Sequence, residues 1–159
     1  QASVVMTKLG GISYVIVSYA IPFGGSALPD YKYVMEAFRK SRSRYELVAE
    51  WGRELDSTRG WLQQVPSPWE TETWLLAHGR VAIDMRYKEK AFIVRFTGTK
   101  FETIWGSDQV FGSPTYKVDK NAVSIEYEDL DRGGPPVTKI LRLTQGGVVE
   151  ENPLPGLVR

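Results

Sequence analysis

His78 is the single histidine among 159 residues, and there is no cysteine. Without thiols there is no cysteine nucleophile, no cysteine-based zinc site, no iron–sulfur cluster and no disulfide framework. One histidine rules out a two-histidine metal site and leaves a Ser-His-Asp arrangement a single base, with no Gly-x-Ser-x-Gly beside it. The carboxylates Glu70 and Glu72 share one side of an expected strand, and Glu50, Glu54 and Asp56 lie close in sequence. Glycosidic chemistry would need two carboxyls at a fixed separation with one pKa raised, and spacing alone supplies neither. The pairs Gly10-Gly11, Gly24-Gly25, Gly133-Gly134 and Gly146-Gly147 lack a phosphate-loop lysine or a GxGxxG spacing, so they read as turns. His78-Gly79-Arg80 also reads as a turn. The chain is expected not to be an enzyme and to need no cofactor or metal.

Charge is better placed than chemistry. The balance of 20 Lys and Arg against 19 Asp and Glu gives +1 overall, too little for a general nucleic-acid binder. Residues 1–45 nevertheless carry Lys8, Lys32, Arg39, Lys40, Arg42 and Arg44 against only Asp30 and Glu36. Residues 119–131 reverse this, with Asp119, Glu126, Glu128, Asp129 and Asp131 against Lys120. A basic end and an acidic end let copies attract one another, and both also read as ordinary solvated faces. The cluster Arg39, Lys40, Arg42 and Arg44 suits phosphates on RNA or on anionic lipid heads, and equally suits capping a helix.

Five tryptophans are many for this length. Trp51 and Trp74 fall in expected strands. Trp61 and Trp69 flank a loop, and Trp105 and Phe111 bound a second one. Such loop aromatics are candidate contacts between copies, because buried aromatics dominate interface energetics.

The elements that position these groups follow from periodicity. Ile12 to Ile21 is about half of what a membrane-spanning helix needs, and its β-branched and aromatic content predicts a buried strand. Pro22 to Pro29 reads as a loop. Asp30 then reads as an N-cap, with Tyr31, Val34, Met35 and Phe38 at i, i+3, i+4 and i+7 making one helical stripe that ends at Arg39 and Lys40. Tyr45 to Trp51 is an expected strand, and 52–68 an irregular excursion. Short alternating strands are then expected over 71–77, 80–85, 91–96, 101–105, 116–118, 122–127 and 137–143. Residues 146–159 read as an extended arm. The expected architecture is a single α+β domain over 1–145: a bent antiparallel sheet meander, one packed helix near the N-terminus, and the C-terminal arm.

This order of elements resembles the globular core of rhabdovirus matrix proteins, over roughly residues 12–130. The resemblance lies in the apolar strand from Ile12 to Ile21, the Pro/Gly loop, the helix from Asp30-Tyr31, the strand after the basic turn, His78-Gly79-Arg80, and the strand from Ala122 to Tyr127 running into Glu128-Asp129. It implies a non-enzymatic, self-assembling structural protein that condenses a nucleocapsid and links it to the envelope membrane. Its partners would be itself, a viral nucleoprotein or ribonucleoprotein, and an anionic membrane surface, with no sequence-specific nucleic acid. Its location would be the virion and, in the host cytoplasm, the inner face of a membrane. Arg39, Lys40, Arg42 and Arg44 would meet membrane or nucleocapsid. Trp61, Trp69, Trp105, Phe111, Glu126, Glu128, Asp129 and Asp131 would serve self-association. A PPxY motif and a strongly basic N-terminal extension, both common in that family, do not occur in this sequence. Two alternatives from other classes are a small hydrophobic-ligand carrier of calycin- or cystatin-like build, with Phe92, Val94, Phe96, Trp74 and Tyr127 lining a cavity, and an accessory subunit of a larger complex.

Overall fold

Alternation with period two governs nearly every element of the chain. The computed structural model describes residues 2–23, 30–54, 60–81 and 86–151, without the side chains of 23, 30 and 54. These residues form twelve strands and no helix. A first sheet is the sequential meander β1 (Ser3–Leu9), β2 (Ile12–Phe23), β3 (Asp30–Ser41) and β4 (Arg44–Glu54), antiparallel throughout. The second sheet holds β5 (Gly60–Val65), β6 (Thr73–Arg80), β7 (Lys88–Phe96), β8 (Phe101–Gly106), β9 (Phe111–Val118), β10 (Ala122–Glu128), β11 (Val137–Thr144) and β12 (Gly147–Glu151). Its order is β12-β11-β10-β9-β7-β6-β5, and β8 also pairs with β7.

The α+β expectation is therefore wrong, and the packed helix is strand β3. Tyr31, Val34, Met35 and Phe38 do fit a helical stripe, but the same segment also alternates, with Tyr33, Met35 and Ala37 buried on one side. Two flanking strands decide between the periods, because β3 is hydrogen-bonded to β2 on one edge and β4 on the other. The excursion expected over 52–68 contains the end of β4 and all of β5. His78-Gly79-Arg80 is not a turn but the end of β6. The expected arm begins as edge strand β12, paired with β11, and 152–159 lie outside the described residues. Of the strand expected over 80–85, residues 82–85 also lie outside them.

Two cores result. Tyr14, Ile16, Tyr33, Met35, Ala37 and Trp51 of the first sheet pack on Leu75, Ala77, Val94 and Phe96 of the second. Trp51 stands edge-on to Phe92 with ring centroids 5.5 Å apart, and its Nε1 donates to Thr103 Oγ1 at 2.9 Å, pinning β4 to β8. Gly60 lets β5 run against the first sheet, since a Cβ there would sit 2.4 Å from the Tyr33 ring.

The second core lies inside the larger sheet itself, which curls until β8 and β12 face each other. Trp105 Nε1 of β8 donates to Glu150 Oε2 of β12 at 3.3 Å across that seam. Trp74, Leu76, Ala91, Ile93, Phe111, Val123, Ile125 and Leu141 fill the curl. β6 and β7 are consequently buried on both faces: Leu75 and Ala77 look to the first core, Trp74 and Leu76 to the second. Each such large side chain contributes about 1.5–3 kcal/mol by leaving water.

Candidate interaction surface

Two places in the fold concentrate unusual side chains. The first surrounds His78. Strands β5, β6, β7 and β9 bring Trp61, His78, Glu89 and Tyr116 to one end of the curl. The imidazole lies between the Trp61 ring, stacked at 5.3 Å, and the Tyr116 ring at 4.1 Å. His78 Nδ1 is 2.8 Å from Glu89 Oε2, Tyr116 donates to the same oxygen at 2.8 Å, and Tyr87 donates to Oε1 at 2.6 Å. Glu89 is 3% exposed. Burial alone would raise its pKa, but the bonds from His78, Tyr87 and Tyr116 outweigh that and hold the carboxyl below its ordinary range. Burial, then the Glu89 charge, drive the Tyr116 pKa up.

An ionised Glu89 requires a proton on His78 Nδ1, and in a neutral imidazole Nε2 is then the acceptor. That is half of a general-base device. No hydroxyl is hydrogen-bonded to His78 among the described residues, and no trio of His, Asp or Glu there is placed to hold a metal. Glu89 already has three donors, so the cluster works as a saturated buried network that ties four strands together.

The second place is the outer face of the first sheet, away from both cores. Alternation turns Val4, Met6 and Lys8 of β1 outward, with Val15, Val17 and Tyr19 of β2, Val34, Glu36, Phe38 and Lys40 of β3, and Tyr45, Leu47 and Glu50 of β4. A bulge between Ala37 and Phe38 lets Val48 and Ala49 both lean toward the core and leaves Leu47 outside, opposite Phe38. The register then lines up Met6, Val15, Phe38 and Leu47 as one apolar row across all four strands. Met6 is 78% exposed, Val4 60%, Tyr45 59% and Leu47 46%. Val15, Val17 and Phe38 pack into neither core.

Charges flank that row by sign. Toward the two hairpin turns stand Lys8 and Lys40, neither paired among the described residues. On the other side Glu36 faces Glu50 directly across β3 and β4. Like charges in that relation repel. Beside them lies a shallow cleft of about 340 Å³, lined by Tyr19, Val34, Glu36, Glu50 and Gly52 among others. Partial burial first, then its hydrogen bond to Glu36 and the charges of Glu36 and Glu50, push the Tyr19 pKa up.

The expected basic cluster is divided by this geometry. Arg39 pairs with Glu46 at 2.6 Å, an exposed pair, while Lys40, Arg42 and Arg44 at the β3–β4 turn have no ion-pair partner among the described residues. Lys8, on the neighbouring hairpin, joins them. In sequence Lys8 counts toward the basic end but not toward the cluster, because β1 went unrecognised, although Val5, Thr7 and Leu9 alternate with Val4, Met6 and Lys8.

The expected self-association residues are not brought together. Trp61 is in β5 against His78, not in a loop. Phe111 is fully buried on Tyr127, with centroids 4.6 Å apart, and Trp105 is partly buried at the seam. Trp69 alone of these aromatics is well exposed, on a turn closed by Ser67. Glu126 and Glu128 point outward from β10, and Asp131 is exposed beyond it. Asp129 accepts the backbone N–H groups of Asp131 and Arg132, so it shapes the β10–β11 turn. The residues expected to line a carrier's cavity do not share one: Phe92, Val94 and Phe96 face the first core, Trp74 and Tyr127 the second.

Comparison with protein-family models, with curated proteins and with solved structures finds no match to this chain.

Proposed function

We propose that this chain is a non-enzymatic structural protein that works by self-association, with the outer face of β1 to β4 as its assembly surface. One observation carries the reading: an apolar row spans four strands in register and no part of the described chain covers it. Exposed single apolar residues are ordinary, whereas a contiguous patch on a sheet face marks an interaction site. The reading retains the self-assembling element of the resemblance to rhabdovirus matrix proteins, although the helix that the layout shared with that family is a strand here.

A second reading rests on a separate observation, the gathering of Lys8, Lys40, Arg42 and Arg44 at one end of this sheet. Four cations near an anionic membrane supply about 4 kcal/mol, enough for reversible attachment of that end. The Glu36–Glu50 pair, however, would meet the same lipid if the whole face lay flat on it. That repulsion favours a protein occupant.

Sedimentation velocity over a concentration series tests the first reading, and Leu47→Asp is expected to shift the distribution to monomer without changing the melting temperature. Co-sedimentation with phosphatidylserine vesicles tests the second. A wild-type chain that is monomeric at every concentration and binds the vesicles would exchange the two.

A further inference from the structure

The two hairpins of the first sheet turn at the same end with loops of the same length, yet with opposite chemistry. Gly10 and Gly11 close β1–β2 with φ of 55° and 78°, the left-handed geometry a two-residue hairpin turn demands and glycine accepts freely. Arg42 closes β3–β4 with φ of 53°, where a side chain is strained. A long cation stands at the tip in a place where glycine would be relaxed. The outer face supplies a reason for it.

Phe38 is the centre of that face on β3. Lys40 lies two residues from it toward the turn and Glu36 two residues from it the other way, each about 6.7 Å distant at strand spacing. We infer that two copies pack face to face about a two-fold axis running along the Met6–Val15–Phe38–Leu47 row. This rests on the self-association proposed above and gives it a register. The rotation reverses the strands, lays the apolar row on its own counterpart, and sets Lys40 of each copy over Glu36 of the other. On β4 it sets the Tyr45 hydroxyl over Glu50. Two residues further out, Arg42 comes over the shallow cleft that Lys32, Glu36 and Glu50 line together. Of the like-charged glutamates that repel within one copy, Glu36 thus acquires a cation and Glu50 a hydroxyl donor from the next. Two-fold interfaces use one patch twice, so a patch must be complementary to its own rotated image, as the β3 and β4 positions of this one are; on β1 Lys8 comes over Val4, at the rim.

The alternative two-fold axis, along the strands, would set Lys40 over Ser13 and Glu36 over Val17, and so leaves each charge without a mate. Size is also adequate. Four strands at about 4.8 Å and about five residue rows at 6.7 Å give a face of roughly 600 Å² in plan on each copy, near the lower bound of a stable interface. Stacked sheets cross at about 30°, which displaces the outer strands more than the interior ones. The pair on β3 therefore holds its alignment best.

Charge reversal decides the matter. By sedimentation velocity, Lys40→Glu and Glu36→Lys singly are each expected to weaken the dimer tenfold or more, and the double variant Lys40→Glu/Glu36→Lys to restore the wild-type dissociation constant within about threefold. Both positions lie on an outer face, and unchanged circular dichroism would show that each variant folds. If Leu47→Asp dissociates the dimer while the double variant is no better than the singles, this register is wrong and self-association stands. If the wild type shows no dimer at any concentration, self-association itself falls and the register with it.

Discussion

The two sheets answer the same problem in different ways. The eight-stranded sheet curls, closes a core against itself along the β8–β12 seam, and buries both faces of β6 and β7. The four-stranded sheet buries one face, and among the described residues nothing covers the other, where Met6 and Leu47 are exposed and Val15 and Phe38 half-buried. The contrast separates stability from interaction: substitutions in the larger sheet should act on folding, and those on the outer face of the smaller one on association.

The largest expected effect belongs to the curl. Trp74→Ala empties a fully buried site and should lower unfolding free energy by about 4 kcal/mol in denaturant titration, with the remaining folded protein associating normally. Glu89→Ala should cost about 3 kcal/mol, because it strands the donors of His78, Tyr87 and Tyr116. Its pH dependence has a definite sign. The folded-state pKa of Glu89 is lowered, so its contribution is complete above the unfolded carboxylate value of about 4.3 and is lost as pH falls through the folded value. Thermal melts of the wild type should therefore fall off below about pH 4, and those of Glu89→Gln less steeply.

On the open face the pattern should invert. Met6→Asp should leave unfolding free energy within about 0.5 kcal/mol while weakening association at least tenfold by sedimentation. Smallest of all, Arg42→Gly relieves a left-handed arginine and should raise stability by about 0.5–1 kcal/mol, yet loosen the dimer. A glycine that improved both would break the link between strain and association.

Much of the strand pattern was legible in the sequence. Val123, Ile125 and Tyr127 against Ser124, Glu126 and Glu128 announced β10, and Phe92, Val94 and Phe96 announced one face of β7. Segment 30–41 was not, because its apolar residues satisfy periods of 3.6 and of 2 together and only pairing with distant strands chooses. Nor was the curl: 71–77 was expected to alternate, whereas Trp74 to Ala77 is a continuous apolar run with both faces buried. The proposed association surface was legible only as charge. Its apolar row needs residues from four strands in a register that a bulge shifts, and no single segment shows it. Of the aromatics chosen for self-association, Phe111 went into the interior, Trp61 and Trp105 are half-buried against other strands, and Trp69 alone stayed exposed.

Strand β7 has a consequence of its own. It is hydrogen-bonded along one edge to β6 and along the other to β9 and then β8, and its two faces feed both cores. No local opening can release it, because freeing one edge breaks a core and with it the support of the other. Its amide protons should therefore exchange with solvent only when the whole molecule unfolds, at a rate that reports the global free energy. Those of β1, β4 and β12, each with a neighbour on one side alone, should exchange through fraying. For β1 and β4, dimer formation would slow that exchange from outside the fold, so the hydrogens of a single chain carry separate records of its folding and of its company.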